Sequence, residues 1–119
     1  MAPKTDHLRV PPHNLEAEAS VLGSLMLDKD AIIKIADLLK LGDFYKDDHN
    51  LIYETMLALY EEREPIDVLS LSNKLEEKGK LEKAGGSSYL ASLVNTVPSA
   101  VTVVHYAKVV QKKALLRRL

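Results

Sequence analysis

The 119-residue sequence contains no cysteine and is nearly neutral overall. The absence of cysteine excludes a disulfide scaffold and any zinc site built from thiolates. With 16 lysine and arginine residues against 17 aspartate and glutamate residues, the net charge is −1, so no overall positive field attracts nucleic acid. No apolar run approaches the roughly 20 residues that span a membrane. With 46% hydrophobic and 28% charged residues, the chain is typical of one globular domain.

Apolar residues recur at spacings of three and four along nearly the whole sequence, and no segment alternates for long. This periodicity predicts an all-α fold, and short connections between helices favour a compact bundle. Capping and turn residues divide the pattern into about six helices. We expect them from about Leu15 to Leu27, from Asp28 or Asp30 to a close at Lys40 and Gly42, from about Asp47 to Glu62, from the Asp67 cap to Gly79, in a short stretch before Pro98, and from the Ser99 cap to Leu119.

The first predicted helix carries a cap, a glycine and two acids. Asn14 follows two prolines, a position typical of an N-cap. Gly23 lies mid-helix, where it costs about 1 kcal/mol against alanine, so we expect another helix to approach closely there. Glu16 and Glu18 lie in the first turn, and their spacing of two points them to different sides, which argues against paired acid–base catalysis. The predicted buried stripe is Leu15, Ala19, Leu22 and Met26.

A histidine follows two aspartates in the segment DFYKDDHNLIYETM, residues 43–56. On a helix that starts near Asp47, this histidine heads an apolar face formed by His49, Ile52, Tyr53, Met56, Leu57 and Tyr60. A metal site would need a second ligand three or four residues further on, where Ile52 and Tyr53 stand. We therefore interpret His49 as a structural histidine at a helix N-terminus, with Asp47 and Asp48 in the cap and the first turn, where carboxylates bind free backbone N–H groups. A metal-dependent hydrolase built around His49 is the competing hypothesis.

Residues 85–88, GGSS, have the composition of a phosphate-binding loop. That motif requires a lysine before the serine or threonine and a strand before the loop, and both are missing. The segment therefore predicts a turn at the start of a helix.

The last helix carries the one local cluster of positive charge, formed by Lys112, Lys113, Arg117 and Arg118. These residues could contact phosphates. Cations also stabilise a helix C-terminus, and no aromatic residues are interleaved with them as in a platform for single-stranded nucleic acid. Taken by themselves, the residues favour an interaction module over an enzyme, with no catalytic constellation.

The helices and turns from Pro11 to Leu119 follow one another in a specific order. The opening PPHNLEAEASVLGSLMLDKDAI combines a proline-rich arm, an AE.SVLG helix and a short acidic loop. It is followed by DFYKDDHNLIYETMLALYE, by EPIDVLSLSNKLEEKGKLEKAGGSSYLASLVNTVPSA and by VVHYAKVVQKKALLRRL. This succession resembles the N-terminal domain of the bacterial replicative DNA helicase, the DnaB family, over nearly the whole chain.

The resemblance implies a non-catalytic collar domain on a ring-shaped hexamer. Such a domain docks the C-terminal helicase-binding domain of the primase and helps to hold the helicase subunits together. The resemblance implies no cofactor here, because ATP and magnesium would belong to a RecA-like ATPase domain, and this sequence contains no Walker-type lysine loop. DNA would be contacted through the whole ring, no membrane is implied, and the location would be the bacterial cytoplasm. The alternative is a nucleic-acid-binding helical module that uses the basic last helix.

The last predicted helix resembles the first half of a helical hairpin through which members of this family pair. We accordingly divide the chain into a flexible arm at residues 1–12, a helical head at 13–98 and a truncated hairpin helix at 99–119. One apolar stripe should face the head or a partner helix: Val103, Val104, Ala107, Val110, Ala114 and Leu115. A second stripe on the opposite side predicts weak self-association through Val101, Val109, Leu116 and Leu119.

Overall fold

The computed structural model describes residues 10–97 and 102–119. These residues form six α-helices and one short 3-10 helix, and they include no β-strand. In chain order the α-helices are α1 Leu15–Leu27, α2 Ile32–Leu38, α3 Asp47–Glu61, α4 Val68–Glu77, α5 Gly86–Val94 and α6 Val103–Arg117, with the 3-10 helix Lys29–Ala31 just before α2. The predicted all-α bundle of about six helices is confirmed.

Helix α1 lies at the centre of the bundle and packs against α3, α5 and α6. Helix α4 covers α3 and α5, and α2 packs against α6. The largest fully buried side chains come from all of these helices except α6 and from the segment before α3; they include Leu22, Leu25, Ile35, Phe44, Ile52, Tyr53, Met56, Leu71 and Leu90. One hydrophobic core therefore holds the described helices together.

Because α1 is packed on three sides, its buried face is wider than predicted. Leu22 is fully buried, but Leu15 is 41% exposed, and Ala19 and Met26 are only partly buried. The buried set consists of Ala17, Glu18, Ser20, Val21, Leu22, Gly23, Ser24 and Leu25. The predicted stripe is right for Leu22 and wrong for Leu15, while Ala19 and Met26 pack against the core but are only partly buried. Spacing alone does not show on which sides the neighbouring helices lie.

The close approach predicted at Gly23 is confirmed. A Cβ atom placed on this glycine would lie 2.1 Å from the carbonyl oxygen of Leu93 and 3.0 Å from its carbonyl carbon. The backbone of α5 therefore lies directly against α1 at this point. Only a residue without a side chain allows the two helices to come so near.

Two predicted N-caps are confirmed by their hydrogen bonds. The Asn14 side chain accepts from the backbone N–H of Ala17 at 2.9 Å, and the Asp67 carboxylate accepts from that of Ser70 at 2.8 Å. Each bond satisfies a backbone donor that has no partner inside its own helix.

Helix α2 ends at Leu38, before the predicted close at Lys40 and Gly42. The Asp43 carboxylate accepts a hydrogen bond from the backbone N–H of Lys40 at 2.8 Å, and the Asp43 N–H donates to the Lys40 carbonyl at 3.1 Å. Gly42 takes a φ of 89° in this turn. The helix therefore stops early because a later aspartate captures a backbone donor.

Helix α6 packs on the body of the domain through Val103, Ala107, Val110 and Ala114, as predicted. Val104 is partly buried, but Leu115 is 56% exposed, so its place in the buried stripe is wrong. Leu115 lies on the exposed face of α6, together with Lys108 and Lys112. Residues 1–9 of the predicted arm, Pro98, the predicted Ser99 cap and Val101 lie outside the described residues.

Candidate functional site

Three side chains from three helices form a chain of hydrogen bonds inside the domain. Glu18 on α1 and His49 on α3 are each 1% exposed, and Tyr89 on α5 is partly buried. The Nδ1–H of His49 donates to Glu18 Oε1 at 2.8 Å, since a carboxylate only accepts. The Tyr89 hydroxyl lies 2.5 Å from His49 Nε2. This buried network joins side chains that are 31 and 40 residues apart in sequence.

The Glu18 carboxylate also caps the start of α3. It accepts the backbone N–H of Tyr45 at 2.7 Å and that of Lys46 at 3.4 Å. The N-cap residue of α3 is Lys46, which makes no side-chain cap, and Asp47 and Asp48 both lie in the first turn. The predicted acids in the first turn are confirmed, whereas an aspartate at the cap position is wrong. A carboxylate from another helix thus takes the place of a local cap.

The His49 ring contacts two aromatic rings, and that of Tyr89 lies nearly parallel to it with 5.9 Å between centroids. The Phe44 ring meets it edge-on, with 6.2 Å between centroids, and the Lys46 ammonium lies 4.3 Å from the centroid of the Tyr89 ring. Both ring nitrogens of His49 are used by Glu18 and Tyr89. This is the geometry of a structural histidine. Within residues 10–97 and 102–119, no three His, Asp or Glu side chains converge as a metal site.

Sequence reasoning missed the burial of Glu18 and its pairing with His49. Glu16 is exposed, so the two glutamates do point to different sides, as predicted. A signal was nevertheless present in the spacing. Glu18 stands three residues before Val21, four before Leu22 and seven before Leu25, and all three are fully buried. An acid on the apolar face of a helix indicates a buried partner.

The GGSS segment is a turn at the start of α5, and this prediction is confirmed. Gly85 is the N-cap residue with a φ of 100°, and Gly86 follows with a φ of 80°. The Ser87 hydroxyl lies 2.9 Å from that of Ser72, which ties α5 to α4. A Cβ atom on Gly85 would lie 2.8 Å from the Cβ of Tyr89. This glycine therefore leaves room for the tyrosine of the buried network.

A second buried hydroxyl fixes the end of α2. Tyr53 is fully buried on α3, and its hydroxyl donates to the carbonyl oxygen of Leu39 at 2.9 Å. Burial, followed by the negative charge of Asp43, raises the pKa of Tyr53 from 10.0 to about 12. The folded protein therefore holds this proton more tightly than the unfolded chain does.

We expect this pKa difference to appear as alkaline destabilisation. The unfolded chain loses the Tyr53 proton near pH 10, whereas the folded protein keeps it to about pH 12. The free energy of unfolding should therefore fall by roughly 2–3 kcal/mol between these two pH values. Tyr53→Phe should be less stable than wild type by about 1 kcal/mol at neutral pH. Above pH 10 the difference should shrink and then reverse. Urea unfolding of both proteins at a series of pH values measures the difference in their free energies of unfolding. A difference that stays constant from neutral pH to pH 12 would contradict this expectation.

The end of α6 is fixed by two of the predicted basic residues. The Arg118 guanidinium pairs with the carboxylate of Asp43, which is 2% exposed. Arg117 donates to the Asp43 carbonyl at 2.5 Å and to the Pro12 carbonyl at 2.9 Å. We call these four residues the arginine clasp. Half of the predicted basic cluster is therefore engaged within the domain.

The other predicted residues of α6 lie mostly at the surface. Lys112 is exposed and Lys113 is partly buried. Val109 is partly buried against the core, whereas Leu116 is 40% and Leu119 is 99% exposed. Their roles in phosphate contact and in self-association stay predictions.

The fold and the buried network define an all-α domain in which ionisable side chains join helices. No helix in the described part of the chain is both long and apolar enough to cross a membrane. The buried ionisable side chains Glu18, Asp43 and His49 are all bonded to other residues of the domain. The buried Ser24 hydroxyl has no hydrogen-bond partner among the described residues.

Comparison with known sequences agrees with the resemblance noted above. A family model described as the DnaB-like helicase N terminal domain matches residues 10–112. The sequence is 44% identical to the replicative DNA helicase DnaB of Mycobacterium leprae over 117 residues, which is 98% of this chain and 19% of that protein. It is 41% identical to the replicative DNA helicase DnaC of Bacillus subtilis, over 93% of this chain and 24% of that protein. The chain thus spans about a fifth to a quarter of these relatives.

Solved structures show the same similarity. The N-terminal domain of DnaB helicase from Mycobacterium tuberculosis superposes with a TM-score of 0.90 at 44% identity, over 92% of this chain and 76% of that one. The corresponding domain from Helicobacter pylori, described together with its interactions with primase, gives a TM-score of 0.73 at 22% identity over 87% of this chain and 80% of that one, which shows the fold alone. Because the family model matches most of the sequence, this chain belongs to the DnaB-like helicase N-terminal domain family.

Proposed function

We propose that this chain is the non-catalytic N-terminal collar of a replicative hexameric DNA helicase, which docks primase and contributes to ring assembly. The observation that carries the proposal is the family match over residues 10–112. The domain itself neither hydrolyses ATP nor unwinds DNA. ATP, magnesium and the main contact with DNA belong to other parts of the whole protein, which acts in the bacterial cytoplasm with the replication machinery.

Two observations support a docking role. The ionisable groups of the buried network are bonded to one another, so they hold α1, α3 and α5 together in one rigid unit that can present its outer faces to a partner. The Helicobacter pylori domain, which has the same fold, is described together with its interactions with primase, and this makes primase the partner to test.

The test is a calorimetric titration of this chain with the C-terminal helicase-binding domain of the primase from the same organism. We expect saturable binding of micromolar strength and no ATP hydrolysis above a buffer control. The proposal fails if no heat of binding appears at high micromolar concentration while the intact helicase binds the same primase domain.

A nucleic-acid-binding module predicts a different result from the same protein. Phosphate contacts would give oligonucleotide binding that weakens steeply as salt rises. Arg117 and Arg118 already contact Asp43, so we expect little binding. A steep salt slope that disappears in Lys112→Ala with Lys113→Ala would favour the alternative.

The exposed end of α6 leads to a prediction on self-association. Leu116 on its last turn and Leu119 just beyond its end are exposed apolar side chains, so we expect weak, concentration-dependent association of the chain. Leu116→Asp with Leu119→Asp should abolish it, whereas Leu69→Asp, at a 70% exposed position on α4, should not. Sedimentation equilibrium measures the association. A wild-type protein that stays strictly monomeric at high concentration would contradict the prediction.

A further inference from the structure

A groove on the outer side of α3 has an apolar centre and acidic edges. Its volume is about 480 Å³ and it is lined by Leu41, Glu54, Leu57, Ala58, Glu61 and Glu62. Leu41, in the turn after α2, is 57% exposed, and Leu57 and Ala58 are partly buried. The lining contains three apolar and three acidic residues and no basic one.

The spacing of these residues places the acids on either side of the apolar patch. Glu54, Leu57, Ala58 and Glu61 follow one another at intervals that put them on one stripe of α3. Glu62 is paired with Lys74, at 2.7 Å between their charged atoms. Within the described residues, Glu54 and Glu61 belong to no ion pair. Two carboxylates that make no ion pair within the described residues thus flank an apolar surface, one helical turn away on each side. On its other side Glu61 lies near Lys29 and Arg63, with which it lines a neighbouring hollow.

We infer that this acidic groove receives a cationic amphipathic helix of the docked primase, an inference that rests on the proposed docking function. An apolar side chain of that helix would fill the space between Leu41 and Leu57. Lysine or arginine residues one turn to either side of it would meet Glu54 and Glu61. Recognition of an amphipathic helix by a groove uses this combination of apolar anchors and flanking charges.

A second copy of this chain is the competing occupant, because α6 exposes Lys108, Lys112 and Leu115 on one face. The size of the groove argues against it. A stable interface between two protein copies usually buries about 800 Å² on each partner, with some 20–30 residues a side. A groove lined by six residues suits one helix of a transient partner.

Charge reversal tests the assignment in the intact chain. Glu54→Lys with Glu61→Lys should weaken binding of the primase helicase-binding domain at least about tenfold at low salt. The loss should shrink at high salt, where surface charges are screened. Glu76→Lys with Glu82→Lys is the matched control, since it makes the same change of charge at exposed positions outside the groove. The control should bind within about threefold of wild type.

The apolar centre is tested separately. Leu41→Asp should weaken primase binding, whereas Leu69→Asp, at a more exposed site on α4, should leave it unchanged. Circular dichroism confirms that each variant is folded. Equal binding by wild type and both groove variants would overturn the groove assignment and leave the docking function standing. Equal loss of primase binding in the groove pair and the control pair would show that the overall charge of the domain, and not the groove, attracts primase. Loss of self-association in the groove variants would show that a second copy of this chain occupies the groove. Either result overturns the inference. Failure of wild type to bind primase would instead refute the docking function itself.

Discussion

Glu18→Ala should lower the free energy of unfolding by about 3–5 kcal/mol. The substitution removes the acceptor for the His49 ring and for the backbone N–H groups of Tyr45 and Lys46, all at the start of α3. The His49 ring would stay inside the protein without this partner, because Glu18 and His49 are each only 1% exposed, and the two backbone donors would lose theirs in a partly buried position. Urea unfolding, followed by circular dichroism, measures the loss.

Glu16→Ala is the matched control for this prediction. It removes the same side chain from the same helix turn, but Glu16 is exposed, so the change should stay within about 0.5 kcal/mol. His49→Ala should cost about 1–3 kcal/mol, and the double variant with Glu18→Ala should lose less than the two single losses added together. Additive losses would show that the two side chains do not depend on each other.

Gly23→Ala should destabilise the domain by about 3 kcal/mol, although alanine is the better helix former. In an isolated helix the same change would be favourable by about 1 kcal/mol. In the folded domain the new methyl group would lie 2.1 Å from the Leu93 carbonyl oxygen, and a backbone atom cannot rotate away as a side chain does. The helices α1 and α5 would have to separate, which also disturbs Tyr89 on α5.

Thermal and urea unfolding measure this effect, with Asn73→Ala as the control. Asn73 is an exposed position inside α4, where alanine should change stability by no more than about 0.5 kcal/mol. A Gly23→Ala protein as stable as wild type would mean that α1 and α5 do not touch through their backbones. Such a result would also weaken the explanation of why a glycine stands in the middle of α1.

The features that the sequence predicts correctly are those that depend on near neighbours. Asn14 and Asp67 bond to backbone groups three residues ahead, and Gly85 adopts a backbone angle that its own turn requires. Local chemistry of this kind can be recognised from residue type and order alone. The all-α class follows for the same reason, because its periodicity is visible within each helix.

The features that sequence reasoning misses depend on distant residues. Glu18 caps a helix that begins 29 residues later; its position on the apolar face of α1 indicates a buried partner, but no local pattern shows which residue that partner is. Leu115 continues an apolar stripe yet stays 56% exposed, because it lies on the exposed face of α6 with Lys108 and Lys112. The early end of α2 depends on the Asp43 carboxylate. In each case the outcome depends on a tertiary contact. The type of a residue and its near neighbours in sequence therefore do not show whether its side chain is buried or which partner it bonds to.

The arginine clasp has a mechanical consequence. Arg117 contacts both Pro12 and Asp43, so the segment that leads into α1 and the segment that leaves α6 lie at the same pole of the domain. A pull on Leu119 is resisted by the packing of α6 and also by the guanidinium groups that bind the turn before α3. The force would therefore be shared by α6, the segment before α1 and the turn before α3. The domain would move as one rigid body, and its last helix would not unwind first.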